Sequence, residues 1–272
     1  MSELNAPGTM DANTDSPTRR RVILIGASNV VLGWRTIFPL ARSLADEPID
    51  IWGAFGHGRS YGLKSRVLGR SLPGITTCGL WPNLARSTAS ETVGVVTDLG
   101  NDLLYGVDVP QIIDWVNWSV ERLRAQNAKV VITRLPLISV RGLSPARFRM
   151  MRSILFPRSE LKLTTVIRLA EELDAGLVEL AARFGIAVVE PRPEWYGFDS
   201  IHILRRQRRA AWSEILGRGF GGTNRDVPVS KTPLRVPRLW RLAPERRWVF
   251  GVERTHAQPV VDLADLGRVY LF

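Results

Sequence analysis

The chain has 272 residues, of which 45% are hydrophobic and 23% are charged. This length and balance are typical of a globular protein with one large domain, and they exclude collagen-like, disulfide-stapled and wholly disordered chains. The formal net charge is +11, and most of the excess lies in residues 203–272. The net charge is therefore a property of the C-terminal region, and it says little about the chemistry of the rest of the chain.

The N-terminal segment contains no apolar stretch, so we expect residues 1–20 to be disordered and to hold no signal peptide. No run reaches the roughly 18 apolar residues of a membrane span. The single cysteine, Cys78, excludes an internal disulfide, and three dispersed histidines give no metal-ligand spacing. These features predict a cytoplasmic protein that uses no metal and no cofactor.

Five short apolar runs, rich in Val and Ile, are typical of strands that are covered on both faces, as in a parallel sheet. In chain order they are residues 21–26, 49–53, 93–98, 129–135 and 186–190. Helical patterns lie between them. Asp108 is positioned to cap a helix that ends near Gln126, and a longer helix is expected over 159–184 with Gly185 after its end.

A last helix is predicted over 204–216, after the fifth strand. The alternation of strands and helices predicts a doubly wound α/β domain over residues 21–218. The remaining segment, 219–272, is rich in Pro, Arg and Trp, and we expect a basic extension with little regular structure of its own.

Small or polar residues follow four of the five predicted strands. They occur as Gly-Ala-Ser-Asn from Gly26, Gly-His-Gly-Arg from Gly56, Gly-Asn-Asp from Gly100 and Asp-Ser-Ile-His from Asp199. Ligands of open α/β sheets bind beyond the carboxyl ends of the strands. The four segments are therefore predicted to meet at one edge of the sheet.

The four segments resemble, in order, the signature blocks of the SGNH hydrolases, also called GDSL-type esterases. The resemblance covers residues 21–217 and implies a flavodoxin-like five-stranded parallel sheet, order 2-1-3-4-5, with helices on both faces. It implies that Ser28 is the nucleophile, that Gly58 and Asn101 are the glycine and asparagine of the second and third blocks, and that Asp199 and His202 form the last.

The residues agree with this chemistry. A serine hydroxyl needs a base within hydrogen-bond reach, and the oxyanion of the tetrahedral intermediate needs donors. His202 is the expected base, and Asp199, three residues earlier, is expected to orient its imidazole. The expected oxyanion donors are the backbone N–H groups of Ser28 and Gly58 and the side-chain amide of Asn101.

The sequence differs from the family pattern beside Ser28, and the proposed site also requires the fifth strand's loop to reach the first strand. Ala27 and Asn29 flank Ser28, whereas the family has an aspartate before its serine, and Ala27 offers no side-chain hydrogen bond. The fifth strand should lie roughly 14 Å from the first, three strand spacings away. Residues 191–198 must therefore run back across the sheet, and their length permits it.

The sequence thus predicts a serine hydrolase that cleaves carboxylic esters of small molecules, lipids or carbohydrates, with an acyltransferase outcome left open. One alternative is a P-loop-like nucleotide-binding protein, since 53–60 match that pattern except for Arg59. Another is a catalytically silent SGNH fold whose basic tail, around Trp240 and Trp248, contacts an anionic surface. No specific recognition of nucleic acid is expected. The acyl group, the alcohol and the oligomeric state are not indicated.

Overall fold

A computed structural model of the chain describes residues 19–45, 48–67, 69–155, 159–222, 236–263 and 267–272. The predicted disordered segment lies outside these residues except for Arg19 and Arg20, and the first strand already begins at Arg20. No helix in the described part of the chain has both the length and the apolar character needed to cross a bilayer.

Two sheets are formed by eleven strands within the described ranges. The strands are β1 (Arg20–Ile25), β2 (Ile49–Ala54), β3 (Ser65–Val67), β4 (Arg70–Leu72), β5 (Thr92–Val96), β6 (Lys129–Thr133), β7 (Ala187–Val189), β8 (Arg246–Val249), β9 (Val252–Thr255), β10 (Val261–Asp262) and β11 (Arg268–Leu271).

The main sheet has the order β10-β11-β2-β1-β5-β6-β7, and all neighbours are parallel except β10 and β11. The five adjacent strands β2, β1, β5, β6 and β7 correspond to the five predicted from the sequence. The predicted count of five strands is wrong, because β11 and β10 from the C-terminal segment pair onto the β2 edge and make seven. In the register, Ile25 of β1 stands opposite Ala54 and Val96, the last residues of both neighbours. The chain segments that leave these three strands therefore start at one edge.

The sheet is buried on both faces, which explains why its strands are almost continuously apolar. Along β1, Val22 and Leu24 point into one hydrophobic cluster, whereas Ile23 and Ile25 point into the other. This alternation is the two-residue period of a strand. The prediction of a parallel α/β fold with helices on both faces is confirmed.

Eight α-helices are found in the described residues. They are α1 (Ser28–Ala45), α2 (Leu80–Ala85), α3 (Asn101–Leu104), α4 (Val109–Arg124), α5 (Leu137–Arg141), α6 (Pro145–Leu155), α7 (Leu163–Phe184) and α8 (Arg208–Gly219). The side chain of Asp108 accepts from Gln111 N at the start of α4, and Gly185 ends α7 with φ of 61°, both as predicted. The predicted starts of the last two helices, at 159 and 204, are four residues too early.

Helices α1 and α8 cover one face of the sheet, and α4 and α7 cover the other. The contact between α1 and α8 depends on Gly33. A Cβ at this position would stand 2.3 Å from Nε1 of the buried Trp212, so only glycine fits there. This packing holds the start of α1, and with it Ser28, against the sheet.

The prediction of little regular structure in 219–272 is wrong for the described part of that segment. Strand β11 pairs with β2 in parallel, and Phe272 N donates to Gly53 O at 2.9 Å. The Trp52 ring packs against both Tyr270 and Phe272, with centroids 4.6 and 5.4 Å away. Residues 223–235 and 264–266 lie outside the described residues. The domain boundary at 218 stays a prediction.

The second sheet is antiparallel, with the order β3-β4-β8-β9. It joins the loop after β2 to the C-terminal segment, because Arg70 of β4 pairs with Val249 of β8. A two-residue turn of Phe250 and Gly251 connects β8 to β9, with φ of 48° and 87°. Positive φ at both positions fits the turns that match the twist of a two-stranded ribbon.

Candidate active site

Three of the predicted site residues are brought together at the carboxyl edge of the main sheet. Ser28 begins α1 shortly after β1, and only 9% of it is exposed. His202 Nε2 lies 2.8 Å from Ser28 Oγ. On its other side, His202 Nδ1 contacts Asp199 Oδ2. A hydroxyl, an imidazole and a carboxylate therefore form one chain of hydrogen bonds across residues that are far apart in sequence.

The segment after β7 runs back across the sheet, as its predicted role requires. A short 3₁₀ helix, Pro193–Trp195, places the buried ring of Trp195 in the cluster that α1 and α8 cover. Leu204 N donates to Trp195 O at 2.8 Å, which closes the loop that carries Asp199 and His202. The loop is thus held at its base by apolar burial and a backbone hydrogen bond.

Asp199 is arranged to remain a carboxylate. Its Oδ1 accepts from Ile201 N at 3.0 Å and from His202 N at 3.3 Å. Burial acts to raise the pKa of Asp199, but the hydrogen bond and charge of His202 and these backbone donors outweigh it, so the pKa is lowered. An ionised carboxylate fixes the imidazole tautomer in which Nδ1 carries the proton and Nε2 can accept one.

A second pair of residues, which the sequence reasoning did not assign to the site, links the serine to the histidine loop. Asp98 Oδ2 accepts from Ala27 N at 2.8 Å and from Asn29 N at 3.0 Å, and its Oδ1 accepts from Asn29 Nδ2 at 2.7 Å. The same Asn29 side chain donates to Ile201 O and accepts from Ile203 N, each at 2.8 Å.

These contacts explain how a carboxylate reaches the backbone around Ser28 although the residue before it, Ala27, has no polar side chain. The carboxylate comes from the segment just after β5, the strand beside β1, and it binds the backbone on both sides of Ser28. Burial raises the pKa of Asp98, and the bonds from Asn29 and Ala27 oppose that rise. Asp98 has φ of 60°, a left-handed conformation that aspartate tolerates. The sequence signal for this pair was a carboxylate, Asp98, and an amide, Asn29, that each follow one of two neighbouring strands.

A cavity opens beside Ser28, and Asn101 is part of its wall. Asn101 begins α3, a few residues after β5. Its Nδ2 is buried and has no hydrogen-bond partner among the described residues. Buried amide groups without a partner are uncommon and call for an explanation. The remaining wall is largely apolar and includes Leu103, Leu135 and Val166.

Gly58 is not among the residues that line this cavity. It forms a turn with φ of 58°, which favours glycine, and its carbonyl accepts from Tyr105 Oη at 2.5 Å. Tyr105 directly follows α3, so the turn is tied to the helix that Asn101 begins. A Cβ on Gly58 would stand 3.0 Å from Tyr105 Oη, which crowds this contact.

Asp102 has a structural role in the loop after β2. Its carboxylate accepts from Ser60 Oγ and from Tyr61 N, the latter at 2.9 Å, and Ser60 Oγ in turn accepts from Leu63 N at 2.8 Å. Asp102 is fully buried, and this burial raises its pKa to about 6, although the two hydrogen bonds oppose the rise. The residue holds the loop after β2 against α3.

This raised pKa predicts a pH-dependent stability. The folded carboxyl keeps a proton that the unfolded chain has already released, so stability falls as pH rises through the interval that ends near 6 and levels off above it. In Asp102→Asn this contribution is absent. Between about pH 5 and about pH 8, urea unfolding should show the parent losing ~1.4 kcal/mol relative to the variant. An equal stability difference at both pH values would contradict the shift.

His57 lies close enough to His202 to feel its charge, but no hydrogen bond joins it to Ser28, Asp199 or His202 in the described structure. Its side chain is at the surface, yet partial burial lowers its pKa, and the nearby His202 lowers it further. A histidine whose pKa is lowered stays neutral near pH 7. The residue has no carboxylate partner among the described residues, unlike His202.

The nucleotide-binding alternative does not fit the structure. Arg59, which would have to reach a phosphate, is fully buried, and its guanidinium donates to the backbone carbonyls of Pro73 and Phe272. No helix begins at Arg59 or Ser60, whereas a P-loop needs one there. Within the described residues, no three His, Cys, Asp or Glu side chains cluster as metal ligands.

The same fold occurs in solved esterase structures. A carbohydrate acetylesterase from Sinorhizobium meliloti gives a TM-score of 0.51 at 14% identity, covering 72% of this chain and 96% of its own. The chain has the fold of the SGNH esterases. The inhibitor-bound form of an aryl esterase from M. smegmatis has a similar fold, with a TM-score of 0.50 at 15% identity over 71% of this chain and 95% of its own.

No family model and no curated protein matches the chain. The likeness to SGNH structures therefore concerns the fold, and the reaction has to be argued from the residues at the carboxyl edge of the sheet.

Proposed function

We propose that the protein is a carboxylic ester hydrolase in which Ser28 forms an acyl-enzyme intermediate. The observation that carries this proposal is the 2.8 Å contact between Ser28 Oγ and His202 Nε2, with Asp199 on the opposite ring nitrogen. This arrangement meets the geometric test for an activated serine, namely a base within hydrogen-bond reach that is itself oriented by a third group.

In the first half-reaction, Ser28 Oγ attacks the ester carbonyl carbon while its proton moves to His202 Nε2. The imidazolium that forms is stabilised by the ionised Asp199. When the tetrahedral intermediate collapses, the bond to the alcohol oxygen breaks, and that oxygen takes the proton from His202. The alcohol leaves, and the acyl group remains on Ser28.

In the second half-reaction, water gives a proton to His202 Nε2 and attacks the acyl carbon. Collapse of the second tetrahedral intermediate returns the proton to Ser28 Oγ and releases the carboxylic acid. These steps call for no cofactor or metal. An acyltransferase outcome requires only that another hydroxyl group takes the place of water.

The negative oxygen of both intermediates needs preorganised donors. We assign this role to the backbone N–H groups of Ser28 and Gly58 and to Asn101 Nδ2. The buried, unpartnered amide of Asn101 supports its assignment, because an oxyanion in the cavity would supply the missing acceptor. Gly58 does not line this cavity, and its part in the proposal rests on its turn being tied through Tyr105 Oη to the end of α3, the helix that Asn101 begins.

The cavity beside Ser28 favours an apolar substituent on the substrate. Leu103, Leu135, Val140 and Val166 line it, and a buried apolar group gains on the order of 0.8 kcal/mol per methylene. We therefore propose uncharged aliphatic acyl esters as substrates for this site. Chain-length preference among p-nitrophenyl esters measures this directly.

A fluorophosphonate probe tests the proposed nucleophile. We expect the parent chain to be labelled and to hydrolyse p-nitrophenyl butyrate, and we expect Ser28→Ala to lose both properties. The matched control is Ser153→Ala, which removes an exposed serine hydroxyl from α6. If the folded parent neither reacts with the probe nor hydrolyses the ester, the fold is catalytically silent and the proposal is wrong.

A further inference from the structure

The hairpin of β8 and β9 carries an exposed apolar tip. Phe250, in the turn, is 85% exposed, and Val252, the next residue after Gly251, is 54% exposed. Phe250 N donates to Gly69 O at 2.9 Å, so the turn is held in place, and the ring lies close to Gly69, which has no side chain to cover it. A large apolar side chain at a hairpin tip therefore contributes almost nothing to the core.

Three arginines share one face of the second sheet, next to this tip. Arg247 of β8 stands directly opposite Arg254 of β9, and Arg70 of β4 stands opposite Val249. Because side chains alternate between the two faces of a sheet, residues 247 and 249 of β8 point to the same side. Arg70, Arg247 and Arg254 therefore lie together on the face that also carries Val249 and Val252. We call it the arginine face.

The arginine face forms no ion pair with a carboxylate in the described part of the chain. Glu253 points to the opposite face, where it pairs with Arg246 at 2.9 Å. Arg247 Nε is buried and has no hydrogen-bond partner among the described residues. Burial and the neighbouring Arg70 both lower the pKa of Arg247. Like charges placed directly opposite each other are unfavourable, and an anion between them would relieve the repulsion.

We propose that the tip and the arginine face together form a docking surface for an anionic lipid bilayer. Arginine side chains attract anionic headgroups, while Phe250 and Val252 can enter the boundary between headgroups and acyl chains. A bilayer fits better than a nucleic acid, because Trp248, the aromatic side chain of β8 that could stack on a base, lies on the opposite face of the sheet from the three arginines. Its ring is also covered by Lys64 Nζ at 3.3 Å from its centroid.

The docking surface adjoins the candidate active site. Val67 stands opposite Arg70 on the arginine face, and its Cγ2 is 3.1 Å from where a Cβ on Gly58 would lie. A chain docked through this face would hold the Gly58 turn close to the bilayer. The inference goes beyond the proposed hydrolase activity and does not rest on it, since vesicle binding is measured without turnover.

Vesicle co-sedimentation of the full chain tests the proposal. We expect binding to vesicles of phosphatidylcholine with phosphatidylglycerol, little binding to phosphatidylcholine alone, and weakening by salt. The triple variant Arg70→Gln/Arg247→Gln/Arg254→Gln should bind about 100-fold more weakly, and Phe250→Ser on the order of tenfold. The matched control, Arg35→Gln/Arg86→Gln/Arg218→Gln, removes the same charge from exposed helical and turn positions and should bind like the parent.

A fluorescent label provides a second measurement that does not depend on the triple variant folding. The chain has one cysteine, Cys78, which is buried, so a label on Phe250→Cys is selective. We expect the fluorescence emission of the label at position 250 to rise when anionic vesicles are added and to be quenched by nitroxide lipids. The same label on Glu179→Cys, an exposed position of α7, should not respond.

Three outcomes would overturn the proposal. The parent could fail to bind anionic vesicles, the folded triple variant could bind them as the parent does, or the label at position 250 could stay unquenched. Binding of an oligonucleotide that is lost in the triple variant, without any vesicle binding, would assign the arginine face to a nucleic acid instead.

Discussion

Replacing His202 by alanine is expected to lower kcat for p-nitrophenyl butyrate by at least about 10⁴-fold. The reason is that His202 Nε2, at 2.8 Å, is the base next to Ser28 Oγ, and a neutral serine hydroxyl is a weak nucleophile. Binding of the ester does not need the imidazole, so KM should change little. Steady-state kinetics of the purified variant measure both quantities.

His57 provides the matched control, because it is a second histidine close enough to feel the charge of His202. His57→Ala should keep kcat within about threefold of the parent. If His57→Ala were as damaging as His202→Ala, the base would have been assigned to the wrong histidine. Fluorophosphonate labelling of each variant gives an independent readout of serine activation.

Replacing Asn101 by alanine is expected to lower kcat by roughly 10²–10³-fold, the usual cost of one oxyanion donor. The free energy of unfolding should hardly change, because Asn101 Nδ2 makes no hydrogen bond within the described protein that the substitution could remove. A large loss of activity at unchanged stability separates stabilisation of the intermediate from a structural role. Thermal unfolding and steady-state kinetics on the same preparation supply the two numbers.

The control for this variant is Asn117→Ala on α4. Asn117 does not line the cavity, and the substitution removes a half-buried amide that donates to Glu121 and accepts from Arg183. Its kcat should match that of the parent. If Asn101→Ala retained full activity, the buried amide would have no part in the reaction, and the donors would have to be the backbone N–H groups of Ser28 and Gly58 alone.

The main sheet could be predicted well because its strands are short, apolar and bounded by glycine and polar residues. Parallel strands place their carboxyl ends at one edge, so residues that follow different strands can be grouped from the sequence alone. Ser28 and His202 were assigned in this way, together with the family resemblance. The contact between them also needed the loop after β7 to return across the sheet, which chain length allowed but did not specify.

The C-terminal strands and the Asn29–Asp98 pair were not predicted, for a common physical reason. Strand β8 is Arg-Arg-Trp-Val and becomes regular only by pairing with β4, far away in sequence. Its charged residues hide the usual apolar pattern of a strand. Likewise, the predicted third strand extends to Asp98, whereas β5 ends at Val96, and the left-handed turn at Asp98 that directs its carboxylate to Ala27 N and Asn29 N does not follow from the strand order.

The position of β11 bears on how the chain folds. Arg268 N donates to Asp50, 218 positions earlier, so this edge of the sheet closes a very long loop. Closing so long a loop costs much chain entropy before the new contacts stabilise the fold, and this slows folding. Until β11 arrives, β2 is an open edge with Trp52 uncovered, and such edges pair readily with other chains. We therefore expect a chain cut before β11 to associate with other copies more readily than the full chain, and light scattering of the two preparations measures this.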